Sequence, residues 1–371
     1  MIDVRSQFPA LERIHNGLPV AYFDSPGGTQ VPRMVAEAMT RYLFDHNANT
    51  HWAYPTSAET DAIIAEAREK CARFFNASAG EIVFGANMTT LTFHLARALG
   101  RVWQAGDEVI VTELDHHGNI APWRALEVDR GIVVRTARMT AETGKVDYEH
   151  LAQLVGPRTR LVAIGGASNA IGTINDLKRA REIAGSALLF VDAVHLAPHE
   201  RIDVRALGCD FLACSAYKFY GPHAGILFAR SELLESLPFP RLDPAPNEGP
   251  ERAETGTQNQ EGIAGIAATI DFLQSLDWPE MHREGQRFAA KLWNGLSSIR
   301  GVRLYGPPPG TRRTPTVSCA IEGMSGEEVS RALAKQALFV SHGDFYAQTV
   351  IERLGVEALV RLGCACYTTA E

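Results

Sequence analysis

The feature that most constrains this chain is a regular alternation of short apolar segments with helical patterns, which runs from about residue 80 to residue 229. The apolar segments have strand length and read as strands at 81–84, 108–112, 161–164, 188–191, 211–214 and 225–228. Helical periodicity covers 89–99 and 176–184. Strands that are apolar throughout are buried on both faces, and parallel strands need helical crossovers. The pattern therefore predicts a doubly wound α/β domain with a large, mostly parallel sheet.

The alternation ends near residue 240, where prolines crowd residues 238–250 and predict an irregular loop. Beyond the loop, the pattern predicts a smaller α+β domain, with helices over 263–276, 285–299 and 326–337 and strands over 316–321 and 359–366. We therefore expect three parts, which are an N-terminal segment 1–19, a large domain 20–262 and a small domain 263–371. Residues 368–371 resemble a helix start, so we also expect a terminal helix to follow them.

Composition narrows the classes of protein. The net charge is −7, so no basic face is expected for a nucleic-acid partner. No stretch reaches the roughly eighteen apolar residues of a membrane span. The 6 cysteines are scattered through a large chain, which argues against a disulfide framework and favours a reducing cytoplasm. No cysteine or histidine pairs stand at zinc-finger spacing, so we predict no metal site.

Polar residues follow several of the predicted strands, and ligands of open α/β sheets bind beyond the carboxyl ends of the strands. After 81–84 comes the helix start GANMTT (85–90), whose N–H groups and hydroxyls either bind an anion or simply cap the helix. After 108–112 comes DHHGN (115–119). His116 there is a ring-stacking residue, a metal ligand or a plain loop residue. After 161–164 comes Asn169, whose amide can donate to a ligand oxygen.

Asp192 and Lys218 end two further strands. A buried carboxylate such as Asp192 needs a partner, and a protonated pyridine nitrogen would be one. Lys218 stands among aromatic residues, where loss of hydration lowers the pKa of an amine and makes it a nucleophile towards an aldehyde. A lysine for a Schiff base, an acidic partner and a phosphate cradle are together what pyridoxal 5′-phosphate (PLP) requires. We therefore predict PLP as the cofactor, bound to Lys218.

Nearly the whole chain resembles the class V aminotransferase family of fold-type I PLP enzymes. The resemblance is closest to the branch of cysteine desulfurases and selenocysteine lyases, in particular to a "cysteine desulfurase-like" subgroup. It rests on the motifs YFDSPGGTQ (22–30), NANTH (47–51), GANMTT (85–90), VDAVH (191–195), SAYK (215–218) and ETGTQN (254–259). It implies a homodimer with shared active sites and a small amino acid as substrate.

The resemblance also implies roles for individual residues. Lys218 is the covalent anchor and base, Asp192 holds the ring nitrogen, and His116 stacks on the ring. The other cofactor-binding residues are Met88, Thr89, Thr90, Asn169, His195, Ser215, Tyr217 and, from the second subunit, Thr257. Arg361 and His51 bind the substrate, and a bidentate guanidinium suits a carboxylate. Desulfurases usually have glutamine where His195 stands and histidine where Tyr217 stands.

One departure from the desulfurase pattern concerns a mobile loop that carries a nucleophilic cysteine. The matching stretch here is VSHGDFYA (340–347), with Tyr346 in the place of the cysteine and Ser341 in the place of an arginine. A phenol does not form a persulfide, so we assign Tyr346 to the catalytic residues as a proton donor or as a cover over the pocket.

We therefore predict a cytoplasmic PLP enzyme that cleaves the C–S bond of a cysteine-like amino acid, by β-elimination and without a loop cysteine. Aminotransferase or epimerase chemistry of the same family is the alternative. A second alternative is a metal-dependent hydrolase, with ligands among His116, His117, Asp192, His195 and His199. A third is a non-catalytic relative that binds PLP or a partner.

Overall fold

A computed structural model describes residues 4–370; Met1, Ile2, Asp3 and Glu371 lie outside the described residues. The α-helices of the described part are α1 (Arg33–Arg41), α2 (Pro55–Phe75), α3 (Met88–Gly100), α4 (Ala121–Arg130), α5 (Tyr148–Leu154), α6 (Leu177–Ala184), α7 (Val204–Leu207), α8 (Ser231–Ser236), α9 (Gln260–Ser275), α10 (Trp278–Ser297), α11 (Gly326–Lys335) and α12 (Gln348–Leu354).

The strands of the same residues are β1 (Ile14–His15), β2 (Leu18–Pro19), β3 (Ala21–Tyr22), β4 (Ile82–Gly85), β5 (Glu108–Thr112), β6 (Val133–Ala137), β7 (Met139–Thr140), β8 (Lys145–Val146), β9 (Thr159–Gly165), β10 (Leu188–Asp192), β11 (Phe211–Ser215), β12 (Gly225–Ala229), β13 (Val302–Tyr305), β14 (Thr316–Ile321), β15 (Leu338–Phe339), β16 (Ser341–Gly343) and β17 (Leu359–Gly363). Short 3₁₀ turns and one π-helical segment, Tyr42–His46, complete the elements.

The large sheet has seven strands in the order β4-β12-β11-β10-β9-β5-β6. β11, β10, β9, β5 and β6 pair in parallel. β12 runs antiparallel to both its neighbours, so β4 points the same way as β11. The connection 216–224 between β11 and β12 is shorter than the crossover of about a dozen residues that a parallel strand requires, which explains the reversal. The predicted mostly parallel sheet is confirmed.

The strands of this sheet are buried on both faces because helices cover each side. In β9, Val162 and Ile164 belong to a core cluster with α2, α6 and α9. The alternating residues Leu161 and Ala163 belong to a second cluster with α3 and α4. Side chains that alternate in direction along a strand thus meet apolar neighbours on either side, which is why the segments are apolar throughout.

A second sheet, β13-β14-β17-β16, is antiparallel throughout. α10 and α11 pack against it. β3 pairs with β15, which joins the N-terminal part of the chain to this half of the molecule. Thr314 N, just before β14, donates to Gly172 O in the loop that follows β9, at 2.8 Å.

Several predicted boundaries were wrong. α10 begins at Trp278 rather than at residue 285, because Asp277 caps it by accepting from Glu280 N at 3.0 Å. β17 ends at Gly363, before Cys366. Residues 368–370 form no helix, and Glu371 lies outside the described residues. The predicted domain boundary at 262 falls inside α9, which packs on α1 and α2, and the division into 20–262 and 263–371 stays a prediction.

Candidate active site

The carboxyl ends of the parallel strands open into one cleft. β5, β9, β10 and β11 each deliver polar residues to it, as sheets of this topology do. The cleft is lined by Pro26, Met88, Thr89, Asp115, His116, Gly165, Ala167, Asn169, Asp192, Val194, His195, Ser215, Tyr217 and Lys218. Most of the residues predicted from sequence for the cofactor are therefore brought together.

Lys218 is half-buried at the end of the turn that follows β11. Its Nζ donates to Pro26 O and Gly27 O, both at 2.8 Å, and lies 4.9 Å from the centre of the Tyr217 ring. Loss of hydration, together with the positive charge of Arg361, lowers the pKa of Lys218 to about 7. A large fraction of the amine is therefore neutral, and hence nucleophilic, near neutral pH.

Asp192 is buried at the end of β10. Its Oδ1 accepts from Val194 N at 2.9 Å, and burial raises the pKa of the carboxyl to about 6. The positive charge of Lys218 opposes this rise. Asp192 thus holds a buried negative charge above about pH 6, and a cation in the cleft would stabilise it.

His116 lines the cleft, whereas Tyr346 packs against His116 and is not itself among the lining residues. The ring of His116 is tilted against Tyr346 with their centroids 5.7 Å apart, and its Nδ1 accepts from Gly118 N at 2.8 Å. Burial and the charges of Lys218, His117 and Arg361 lower the pKa of His116 to about 4. A neutral imidazole can lie flat against a ligand ring without adding charge. Tyr346 is itself 74% exposed.

The start of α3 and the end of β11 meet at another wall. Met88 N donates to Ser215 Oγ at 2.9 Å, and Thr89 lies beside them. Tyr217 stacks on His223 with their ring centroids 4.8 Å apart. Thr90 is exposed instead and completes the capping box with Asn87, so its side chain is engaged at the helix end and does not line the cleft.

His195 and Asn169 lie deep in the cleft. His195 Nε2 is 3.2 Å from Thr314 Oγ1 and 3.1 Å from Thr316 Oγ1, and burial holds its pKa well below the usual range. Asn169 donates from Nδ2 to Phe345 O at 2.9 Å, which leaves its Oδ1 buried without a partner. The two threonines were not foreseen, because they lie at the start of β14 and just before it, far from His195 in the chain.

Arg361 is buried on β17, beside the cleft. Its two terminal nitrogens donate to Asn169 O at 2.9 Å and to Ser341 Oγ at 3.1 Å, and its Nε is buried without a partner. The guanidinium stacks on Phe345 at 4.0 Å. Burial lowers its pKa to about 9, which still leaves the group cationic at neutral pH.

His51 and Thr257 lie elsewhere. Both line a second cleft, together with Asp61 and Glu251. His51 Nδ1 is 3.3 Å from Asp61 Oδ1, and Thr257 is exposed. Within one chain, the structure therefore does not bring these two residues into the cleft of Lys218.

Sequence reasoning gave no role to Asp115, Asp24 or Ser341. Asp115 lines the cleft, and Asp24 has a buried Oδ1 without a partner. Burial raises the pKa of Asp24 and the charges of Arg361 and Lys218 lower it, which places it in the same electrostatic environment. Only the motifs YFDSPGG and DHHGN that contain the two aspartates could have pointed to them.

The cleft fits PLP by the chemistry of its side chains. An amine with a lowered pKa suits the aldehyde, a buried carboxylate suits the ring nitrogen, and a neutral imidazole suits the ring face. Asn169 Oδ1 and Arg361 Nε are buried polar atoms without partners, as expected of a site that takes a polar ligand. A Cβ at Gly118 would lie 2.9 Å from Thr89 Oγ1, so glycine keeps that end open.

The family model of class V aminotransferases matches residues 21–371. The chain belongs to the class V aminotransferase family. Members of this family use PLP, so the protein is a PLP-dependent enzyme of fold type I, in agreement with the sequence resemblance.

Among class V relatives, the cysteine desulfurase of Pectobacterium atrosepticum is 32% identical over 386 residues, which covers 99% of this chain and 94% of the relative. Two solved structures are also similar. The apo cysteine desulfurase of Thermococcus onnurineus NA1 is 28% identical with a TM-score of 0.92, over 99% of this chain and 94% of that one. A cysteine desulfurase of Escherichia coli is 28% identical with a TM-score of 0.89, over 98% and 93%.

The other predicted classes receive no such support. Within residues 4–370, no three or more His, Cys, Asp or Glu side chains are grouped so that they could hold a metal ion. His195, one of the hydrolase candidates, faces Thr314 and Thr316 instead. In the same residues, no helix is both long and apolar enough to cross a membrane.

Proposed function

We propose that this class V enzyme cleaves the C–S bond of cysteine or a closely similar amino acid. The observation that carries the proposal is the meeting of Lys218, Asp192 and His116 in one cleft beside Arg361. Relatives and structural neighbours named as cysteine desulfurases support cysteine as the substrate.

The residues that would hold PLP divide by their chemistry. Asp192 would pair with the ring nitrogen, His116 would cover the ring, Asn169 and His195 would hold the ring oxygen, and Met88, Thr89, Ser215 and Tyr217 would hold the phosphate. When bound, the cofactor supplies an aldehyde carbon that forms a covalent bond with an amine, and a ring that accepts electrons from Cα.

The side chains of the protein then have separate tasks. Arg361 orients the substrate carboxylate, and its buried Nε is a donor still available for that bond. Lys218, with a pKa of about 7, removes the proton from Cα once the substrate amine has replaced it. Tyr346 lies against His116 and donates a proton to the departing sulfur.

The thiols of this chain are poorly placed for sulfur transfer. Burial raises the pKa of Cys364 and of Cys366 to about 12 and that of Cys319 to about 11. Cys71, Cys209 and Cys214 are buried, and the pKa of each is raised as well. Because the thiolate is the nucleophile, we propose β-elimination without a protein persulfide. Cysteine would then yield sulfide, pyruvate and ammonia.

The test combines product analysis with mapping of the anchor. Purified protein loaded with PLP should release sulfide and pyruvate from L-cysteine in equal amounts. Alanine in place of pyruvate would indicate a desulfurase, and a keto acid without sulfide would indicate transamination. Borohydride reduction of the loaded protein should place the pyridoxyl group on Lys218; a label on another lysine would contradict the assignment.

We also propose that two copies of the chain form a dimer and that the protein lies in the cytoplasm. Thr257 and His51 line a second cleft, and exposed apolar side chains of Phe44, Trp52 and Leu242 lie on or near the segments that form it. A second copy of the chain that covers this surface would receive Thr257 in its own site, as the family resemblance implies. All 6 cysteines are free, which supports a reducing compartment such as the cytoplasm.

A further inference from the structure

Asp115 is a buried carboxyl that the proposed chemistry leaves without a role. It is 2% exposed and lines the cleft. Its two oxygens accept from backbone groups, Oδ1 from Gly165 N at 2.5 Å and Oδ2 from Thr112 N at 3.2 Å. These bonds fix the carboxyl at the junction of β5 and β9.

The register of the sheet places this carboxyl beside Asp192. Gly165 on β9 is the direct partner of Asp192 on β10, so any side chain at 165 would point to the same face as Asp192, roughly 5 Å away. A Cβ at Gly165 would lie 2.7 Å from Asp115 Oδ1. The Asp115 carboxyl therefore occupies the space of the side chain that Gly165 lacks, next to Asp192.

We propose that Asp115 is a positioning residue that acts through Asp192, the two forming a carboxyl pair that balances the positive charge of the cofactor ring nitrogen. The inference rests on the proposed role of Asp192 towards PLP. It adds a second negative charge, which depends on pH and comes from Asp115 in the loop that follows β5, the strand next to β9.

The electrostatics agree with such a pair. Burial, with a smaller contribution from the charge of Asp192, raises the pKa of Asp115 to about 7. The charge of Lys218 acts on Asp192. The charge of Asp115 acts on Tyr148, and that of Asp192 acts on Tyr217 and Cys214. His116 follows Asp115 in the chain and is neutral at this pH. Between about pH 6 and pH 7 the pair therefore holds about one proton, and above about pH 7 both carboxyls are ionised.

An ionised Asp115 attracts a protonated ring nitrogen, and a neutral one does not. Wild-type protein should therefore gain affinity for the ring, relative to Asp115→Asn, as pH rises through about 7. A residue that only supports the backbone would change affinity by the same factor at every pH.

The experiment measures binding of pyridoxine 5′-phosphate to cofactor-free protein between pH 6 and 8.5. This probe has no aldehyde, so the titration of Lys218 does not enter through covalent bonding. The wild-type affinity divided by the Asp115→Asn affinity should be close to one at pH 6 and rise to on the order of tenfold at pH 8.5. Asp115→Ser, which also lacks the charge, should give the same pH dependence if the asparagine variant folds poorly.

Asp107→Asn is the matched control, because Asp107 is a buried carboxyl that accepts from Gln104 N at 2.9 Å but lies before β5, at the other end of that strand. Its affinity ratio should stay constant with pH. A constant ratio for both Asp115 variants would overturn the inference while leaving PLP binding intact. Failure of the wild-type protein to bind the probe or PLP would instead contradict the proposed function.

Discussion

At the scale of single residues, Lys218 shows how neighbours prepare one atom for chemistry. Its Nζ is held by two backbone carbonyls of the Pro26–Gly27 turn, and both bonds must break before the amine can reach a substrate or cofactor. The same surroundings lower its pKa, because few waters remain and Arg361 is near. Each buried charge in this cleft therefore lowers the free energy of unfolding until a ligand binds. Its cost can be measured by denaturant unfolding.

Asp192→Asn should stabilise the cofactor-free protein at neutral pH. The pKa of Asp192 is about 6 in the folded chain against 3.8 ordinarily, so folding loses stability as pH rises from about 4 to 6 and the full cost is present above that. The variant should gain about 1 to 3 kcal/mol at pH 7.5 and nothing at pH 4. Denaturant unfolding at the two pH values measures this. Equal effects at both would show that the charge is not the cause.

Tyr346 and the cysteines give the second residue-scale prediction. Replacement of both Cys364 and Cys366 by alanine should leave turnover near wild type, because neither thiol forms a thiolate near neutral pH. Tyr346→Phe should lower kcat by about tenfold to a hundredfold if its hydroxyl donates a proton. Trapping of persulfide during turnover with cysteine is the decisive measurement; a stoichiometric persulfide on a required cysteine would restore the desulfurase mechanism.

At the scale of elements, the first turn of α3 is what carries Met88 and Thr89 into the cleft. Asn87 Oδ1 accepts from Thr90 N at 2.9 Å, and Thr90 Oγ1 accepts from Asn87 N at 3.2 Å. These two bonds form a capping box. Thr90 orders the helix end through these bonds, and its predicted contact with the cofactor stays a prediction. The segment around Phe345 and Tyr346 is held next to the cleft in a similar way. Both residues have positive φ, Phe345 O accepts from Asn169 Nδ2, and Tyr346 O accepts from His117 N.

Asn87→Ala should therefore have two effects. Loss of the cap should cost about 1 kcal/mol of unfolding free energy, and the loosened first turn should weaken PLP binding. Ser325→Ala is the matched control, because it removes the capping box of α11, which does not line the cleft. Unfolding and PLP titration should show similar losses of stability in both variants, with weaker binding in Asn87→Ala alone. Weaker binding in the control as well would point to a general loss of stability.

At the scale of the whole molecule, Thr257 and His51 lie apart from the cleft of Lys218. Both line a cleft of their own, and Glu254 holds the start of that loop by a bidentate pair with Arg68 at 2.8 and 2.6 Å. Phe44, which lies just before the NANTH motif (47–51) in the sequence, is 82% exposed. Large exposed apolar side chains near a polar cleft favour a surface that another protein covers.

A dimer with shared sites predicts complementation between inactive chains. Mixing Lys218→Ala with Thr257→Trp should restore about half of the sites in each heterodimer, since one site then has both Lys218 and Thr257. Lys218→Ala mixed with Asp192→Asn should restore none, because Lys218 and Asp192 line the same cleft of one chain, so each cleft of the heterodimer carries one of the two changes. Activity of heterodimers separated by distinct tags provides the measurement. Equal activity in the two mixtures would argue that each site is built from one chain.

The sequence by itself determined the large sheet and most of the cleft. Apolar strands followed by polar residues are local patterns, and the carboxyl ends of parallel strands necessarily meet, so Asp192, Lys218, His116 and Asn169 could be placed together. Lys218 was recognisable because a lysine rarely stands among aromatic residues at the end of a buried strand.

The tertiary structure alone decided what surrounds these residues. Thr316 reaches His195 from a different sheet, and Asp115 fills the space left by Gly165 beside Asp192. Such contacts join residues far apart in the chain, so no periodicity reports them. The start of α10 at Trp278 was missed for a local reason, since Asp277 and Pro279 are an ordinary helix start that the apolar pattern obscured. Local spacing thus fixes elements, and packing fixes the partners of each side chain.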